Sequence, residues 1–236
     1  MRNFRPVKLM QSAGKRHSAS GVRAQRGEAT RELILDAAEQ LICERGTEGV
    51  SMRQIAVAVG QGNNSVIQYY FDSKEGLVRA IIARRAGQLE AIRETMLADA
   101  VANGKTGEVK ILLTILLLPI AMIKDANGRH VYAGFMQHAL QAMWGNQAQM
   151  IHEAWSKKGP VSETIEFLCK LRPDLSDSQI RMRILRLNRM FSNALIDWDR
   201  VREIGGEHDD EAFLLEDLHN MVAAAFDTPL PDPGVS

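Results

Sequence analysis

The sequence predicts an all-α protein. Apolar residues recur at helical spacing from Leu33 to Ala225, and no strand-like alternation or hairpin signal of any length interrupts them. Polar, glycine- or proline-bearing breaks at Gly46, Gly60, residues 103–107, Asn127-Gly128, Gly159-Pro160 and Gly205-Gly206 divide the pattern into helix-length pieces. The chain has 236 residues, 45% hydrophobic and 25% charged, as in an ordinary globular protein with one large core or two small ones.

Residues 1–27 carry Arg2, Arg5, Lys8, Lys15, Arg16, Arg23 and Arg26 without an acidic residue or a sustained apolar stripe. They read as a flexible basic arm suited to phosphates. Thr30 is the cap expected for the first ordered helix, with Leu33, Ile34, Ala37, Ala38, Leu41 and Ile42 as its core face and Gly46 as its end.

Residues 51–71, SMRQIAVAVGQGNNSVIQYYF, read as two short helices joined by a tight turn. Ser51 caps the first, on which Met52, Ile55, Ala56 and Val59 share a face; Gly60 stops it. Asn63, Asn64 and Ser65 are cap candidates for the second. Its apolar positions are Val66, Ile67, Tyr70 and Phe71, which leaves Asn64, Gln68 and Tyr69 outward. Small Ala56 and Gly60 permit a close helix crossing. Amides can pair with adenine in a major groove, and a phenol or lysine can hold phosphate. Alone, the stretch fits an ordinary αα-hairpin equally well. After it, Ser73 caps a long helix predicted to reach about residue 98, with Lys74 in its first turn.

Residues 30–82 resemble the DNA-binding domain of TetR-family transcriptional regulators, through TRELILDAAEQLICERG (30–46), SMRQIAVAVG (51–60) and YYFDSKEGL (69–77). The turn 61–64 has one more residue than the commonest family pattern, which leaves the register of the reading residues open by one position. The resemblance implies a three-helix, helix-turn-helix DNA-binding domain over residues 28–76, then a larger helical ligand-binding and dimerisation domain over 77–228, then a proline-rich tail over 229–236. The residues read as meeting DNA are Thr30, Arg31, Ser51, Arg53, Asn63, Asn64, Ser65, Gln68, Tyr69, Tyr70 and Lys74.

Beyond the break at 103–107, whose Gly-Lys-Thr lacks both the glycine pattern and the leading strand of a P-loop, helices are expected over 108–124, 129–144, 147–157, 162–171, 176–204 and the final stretch from Phe213. The run 111–123, ILLTILLLPIAMI, is too short to span a bilayer and reads as a core helix, kinked at Pro119. Met122, Tyr132, Phe135, Met136, His138, Met143, Trp144 and Trp155 are the pocket candidates. Adaptable and aromatic side chains suit a small, largely apolar ligand, although most such residues are simply packed core. The last two long helices, through Ile184, Leu187, Phe191, Leu195, Trp198, Leu214, Leu218, Met221 and Val222, either pack on their own monomer or form half of a four-helix dimer interface. The resemblance implies the dimer.

The formal net charge is zero, which argues against coating nucleic acid nonspecifically. Cys43 and Cys169 sit in apolar helical patterns and read as small buried side chains; no metal or cofactor is expected. With no apolar export signal, a cytoplasmic location is expected. The whole reads as a dimeric DNA-binding regulator of a palindromic site, most simply a repressor released by its ligand. A helical scaffold without DNA binding is the alternative. An all-α enzyme is the weaker one, since no H-E-x-x-H, G-x-S-x-G or Cys-His pattern is present.

Overall fold

The computed structural model describes residues 14–63, 65–142 and 158–230, with side-chain environments given from residue 25 on and, in the sixth helix, as far as Ala139. Those residues form helices α1 (Gly14–Arg45), α2 (Met52–Ala58), α3 (Ser65–Phe71), α4 (Lys74–Ala102), α5 (Val109–Ala121), α6 (Val131–Ala142), α7 (Pro160–Leu171), α8 (Asp177–Glu203) and α9 (Glu211–Asp227), with no strand among them. The expected helix over 147–157 lies outside the described residues.

The first helix is longer than expected. It begins at Gly14, inside the stretch read as a flexible arm, and Thr30 is not its cap. The Thr30 hydroxyl instead donates to the Arg26 carbonyl one turn back, inside the helix. Residues 18–26 contain no proline and several good helix formers, so a helix nucleated by the packed face of Ile34, Leu35, Ala38 and Ile42 can propagate toward the N-terminus. The other expected caps hold. Ser51 and Gln54 form a reciprocal capping box, Ser176 and Gln179 another, and the Ser73 side chain accepts from the third residue on; Asp210, which the sequence reading did not single out as a cap, does the same for α9.

Helices α1 to α3, closed by the start of α4, make the N-terminal unit, with Ile55, Ala56, Ile67, Phe71 and Leu77 buried inside it. Its attachment to α4 is electrostatic as well as apolar. Glu39 of α1 is buried among guanidiniums: Arg84 reaches it at 2.8 Å and Arg85 at 2.5 Å, while Arg84 also bonds Asp36 at 2.7 Å and Glu32 at 3.0 Å.

Behind α4, the apolar run forms α5, as the sequence indicates. It packs against α4, α6, α7, α8 and α9. Leu112, Leu113, Ile115, Leu116, Leu117 and Ile120 are buried, each contributing about 1.5–3 kcal/mol relative to exposure. The helix runs through Pro119 and ends two residues later, which limits the cost of the missing N–H. No described helix is long and apolar enough to cross a membrane.

Candidate nucleic-acid interface

The N-terminal unit is built by local signals that leave one polar helix face free. The Ser51 hydroxyl accepts from Gln54 N–H at 3.2 Å, and the Gln54 carboxamide accepts from Ser51 N–H at 2.8 Å. Gly60 follows α2 at φ +73°, a left-handed conformation that costs glycine nothing. The Asn63 side chain then accepts from Ser65 N–H at 2.9 Å and from the Ser65 hydroxyl, which sets the start of α3. Asn64 lies outside the described residues.

On α3, Ile67 and Phe71 are buried while Ser65, Gln68 and Tyr69 face outward. Tyr69 is 82% exposed, far more than a large aromatic ring normally is unless a partner covers it. Tyr70 is half-buried, edge-on to Tyr69 at 5.1 Å, with its hydroxyl beside Gly27 of α1. Arg53 is exposed on α2. The structure therefore brings Arg53, Asn63, Ser65, Gln68, Tyr69 and Lys74 to the two-helix unit and the start of α4, with exposed or half-exposed side chains.

Three sequence candidates are committed elsewhere. Thr30 bonds within its own helix. Arg31 bonds Glu32 at 3.2 Å and lies 5.5 Å over the Phe71 ring, so it braces α3 against α1. Ser51 spends its hydroxyl in the capping box.

The passage from α3 into α4 is tight. Asp72 takes φ +64°, and a Cβ on Gly76 would lie 2.1 Å from the Phe71 carbonyl oxygen. Only glycine lets the two helix ends approach this closely. At the head of α4, the Ser73 hydroxyl accepts from Gly76 N–H at 3.0 Å. The exposed Glu75 carboxyl is held below its ordinary value, first by its own backbone N–H and then by the Ser73 hydroxyl. The helix end is thus already supplied with acceptors. The half-buried Lys74 ammonium is the cation placed at this helix end.

The expected pocket residues scatter. Tyr132 and Phe135 are buried and stacked, with centroids 6.1 Å apart; Met136 is half-buried. Met122 caps α5 beyond its last packed turn and is 57% exposed, so it does not join them. His138 lies against Gly46 at the end of α1. Met143, Trp144 and Trp155 lie outside the described residues. His130 is a core histidine: its Nδ1 is 3.1 Å from Asp199, whose carboxylate also accepts from His130 N–H at 2.6 Å. It borders a cavity of about 200 Å³ between α1, the start of α6 and α8, lined by Gln40, Cys43, Glu44, Arg129 and Asp199 among others. Cys43 is half-buried rather than buried, and desolvation pushes its thiol up to about 11, so it is held protonated.

The residues read as a dimer interface are mostly committed to the monomer. Ile184, Leu187, Phe191, Leu195, Leu218 and Val222 are buried within the single chain, where α8 and α9 pack on α5, and α8 also on α6. Leu214 is half-buried, and the Trp198 indole donates to the Asp209 carbonyl at 2.9 Å. Met221 stays outward, as do Met182 and Phe213, which were not among the interface candidates. Their signal was present as apolar positions off the main stripe.

Comparison with known proteins finds its likeness in the N-terminal unit. Residues 34–81 match the bacterial regulatory proteins of the tetR family. The N-terminal unit is therefore similar to the DNA-binding domains of that family. An uncharacterized HTH-type transcriptional regulator of Mycobacterium tuberculosis is 33% identical over 95 residues, 40% of this chain and 46% of the relative. The HTH-type transcriptional repressor NicS of Pseudomonas putida is 38% identical over 63 residues, 27% of this chain and 29% of its own. The chain thus matches less than half the length of these curated relatives. A crystal structure assigned to the TetR family, from Mesorhizobium loti, aligns with TM-score 0.47 and 19% identity over 85% of this chain and 96% of that one. One from Rhodococcus aligns with TM-score 0.47 and 17% identity, over 84% and 96%. The TetR match falls on α1 to α4, the unit whose outward α3 face is described above. Sequence reasoning missed the glycine at 76 and the Glu39 network. A lone acid inside the apolar face of α1 was the available signal for the second.

Proposed function

We propose that the protein is a dimeric, sequence-specific DNA-binding regulator. In this reading it is a cytoplasmic repressor that leaves a palindromic operator when a small, largely apolar ligand occupies the helical domain. The observation that carries this is the α3 face: Ser65, Gln68 and Tyr69 stand exposed on a helix whose opposite side, Ile67 and Phe71, is locked into the core. Asn63, Ser65 and Gln68 lie at base edges; Tyr69, Tyr70, Lys74 and Arg53 hold the backbone. The relative named a repressor matches this chain in part and supports that sign of regulation.

One such helix reads only a few base pairs, and a twofold dimer doubles the contact, with half-sites one turn of DNA apart or a multiple of it. The outward residues of α8 and α9, Met182, Phe213 and Met221, are the surface on which a second copy would pack. A ligand acts through its differential affinity for the two spacings of the α3 helices.

Titration of operator and random duplexes with Lys74→Ala and Gln68→Ala tests the roles. Lys74→Ala weakens binding to every sequence and shallows its salt dependence. Gln68→Ala relaxes preference at one position by about 1–3 kcal/mol. Equal losses on specific and random DNA for both variants would reject these assignments.

A further inference from the structure

Arg93 occupies an unusual place on α4. By helical spacing it lies between Leu89 and Leu97, both buried, so a cation sits in the middle of an apolar stripe. Its Nη2 donates to the Leu116 carbonyl of α5 at 2.8 Å, while its Nε is buried without a hydrogen bond. Among the described residues it pairs with no carboxylate. Glu90, one turn earlier, is exposed and has its Oε1 near Gly159 instead. Burial holds the guanidinium below its ordinary pKa, and the nearby Tyr132 phenol and the charge of the exposed Glu90 counter this only in part. Two turns back on the same helix, Arg84 and Arg85 show the usual solution, a shared buried carboxylate at Glu39.

A guanidinium offers five donors in a planar fork that matches a carboxylate. A buried charge left unpaired is costly to the fold. We propose that Arg93 is the anion-holding residue of the effector site and that the effector is an organic acid, its carboxylate on Arg93 and its apolar body toward Tyr132 and Phe135. This deepens the ligand reading above and rests on it. The competing account is structural: Arg93 braces the Leu116 carbonyl in the turn of α5 that contains Pro119.

The test titrates the full chain calorimetrically with acid and amide pairs: benzoate and benzamide, phenylacetate and phenylacetamide, octanoate and octanamide. Wild type is compared with Arg93→Lys and Arg93→Met. An acid should bind, and its amide at least roughly tenfold more weakly, the usual worth of a charge-assisted hydrogen bond. Arg93→Lys should keep part of that preference and Arg93→Met none. Unliganded Arg93→Met should unfold at the same temperature as wild type or a higher one, because an uncompensated charge is gone. Amides binding as well as acids, or Arg93→Met retaining the preference, overturns the proposal and leaves the effector site standing. A lowered unfolding temperature in Arg93→Met assigns the residue to bracing α5 and overturns it too. No binding by either member of any pair overturns both the proposal and the effector reading beneath it.

Discussion

The N-terminal unit and the domain behind α4 are stabilised by different means. The unit is small: its helices α2 and α3 have seven residues each, too short to persist alone, and they depend on caps, a left-handed glycine and one buried charge network. The domain behind is organised by a single apolar helix, α5, which needs no side-chain cap and is surrounded by five others. A reading head must keep one face polar and rigid, so its order comes from hydrogen bonds and close backbone contacts. The domain behind is ordered chiefly by non-directional burial, which tolerates repacking.

Glu39→Leu should break the contrast most sharply. It leaves Arg84 and Arg85 without their shared carboxylate, and urea unfolding should show a loss of about 3 kcal/mol, with α1 loosened from α4. A loss under about 1 kcal/mol would rank the network with surface pairs.

Gly134→Ala probes the seam between the two regions. Its Cβ would lie 2.3 Å from Cys43 Sγ, where α6 crosses α1, and overpacking should cost about 1–3 kcal/mol. Adding Cys43→Ala should restore most of that; additive losses in the double mutant would mean that the crossing is not the cause.

Within the unit, Ser51→Ala should cost about 1 kcal/mol by removing the capping box. A comparable loss at Glu108, the α5 N-cap position that makes no side-chain cap, would erase the distinction drawn here.

The smallest effect concerns pH. His219 of α9 packs against Phe191 at 5.3 Å, and burial lowers its pKa below the ordinary value, although a Leu215 backbone hydrogen bond opposes this. The unfolded chain therefore takes up a proton that the fold resists. Stability is unaffected above the ordinary histidine pKa and falls as pH drops below it. His219→Gln should flatten that acid limb in thermal melts at successive pH values; an unchanged limb would place the loss on other groups.

Legibility in the sequence followed the same division. Ser51, Gly60, Ser73 and Ser176 act within three or four residues of themselves, so their roles were readable, and the core helix at 111–123 was readable from composition. Thr30 misled because a threonine inside a helix can bond back to the preceding turn as readily as it caps one. The interface residues misled for another reason. A stripe through Ile184 and Leu187 reveals which face is buried but not against what, and here α5 covers it. The glycines at 76 and 134 and the charge at Arg93 have meaning only through partners distant in sequence or in close backbone approach, which spacing does not encode.

The most direct test of the regulator reading is selection of bound duplexes from a randomised DNA pool by the full chain at a fixed, moderate salt concentration. The account predicts enrichment of a palindrome whose half-sites are one helical turn apart or a multiple, with preference at one position relaxed in Gln68→Ala. A folded, helical protein that enriches no sequence would contradict it.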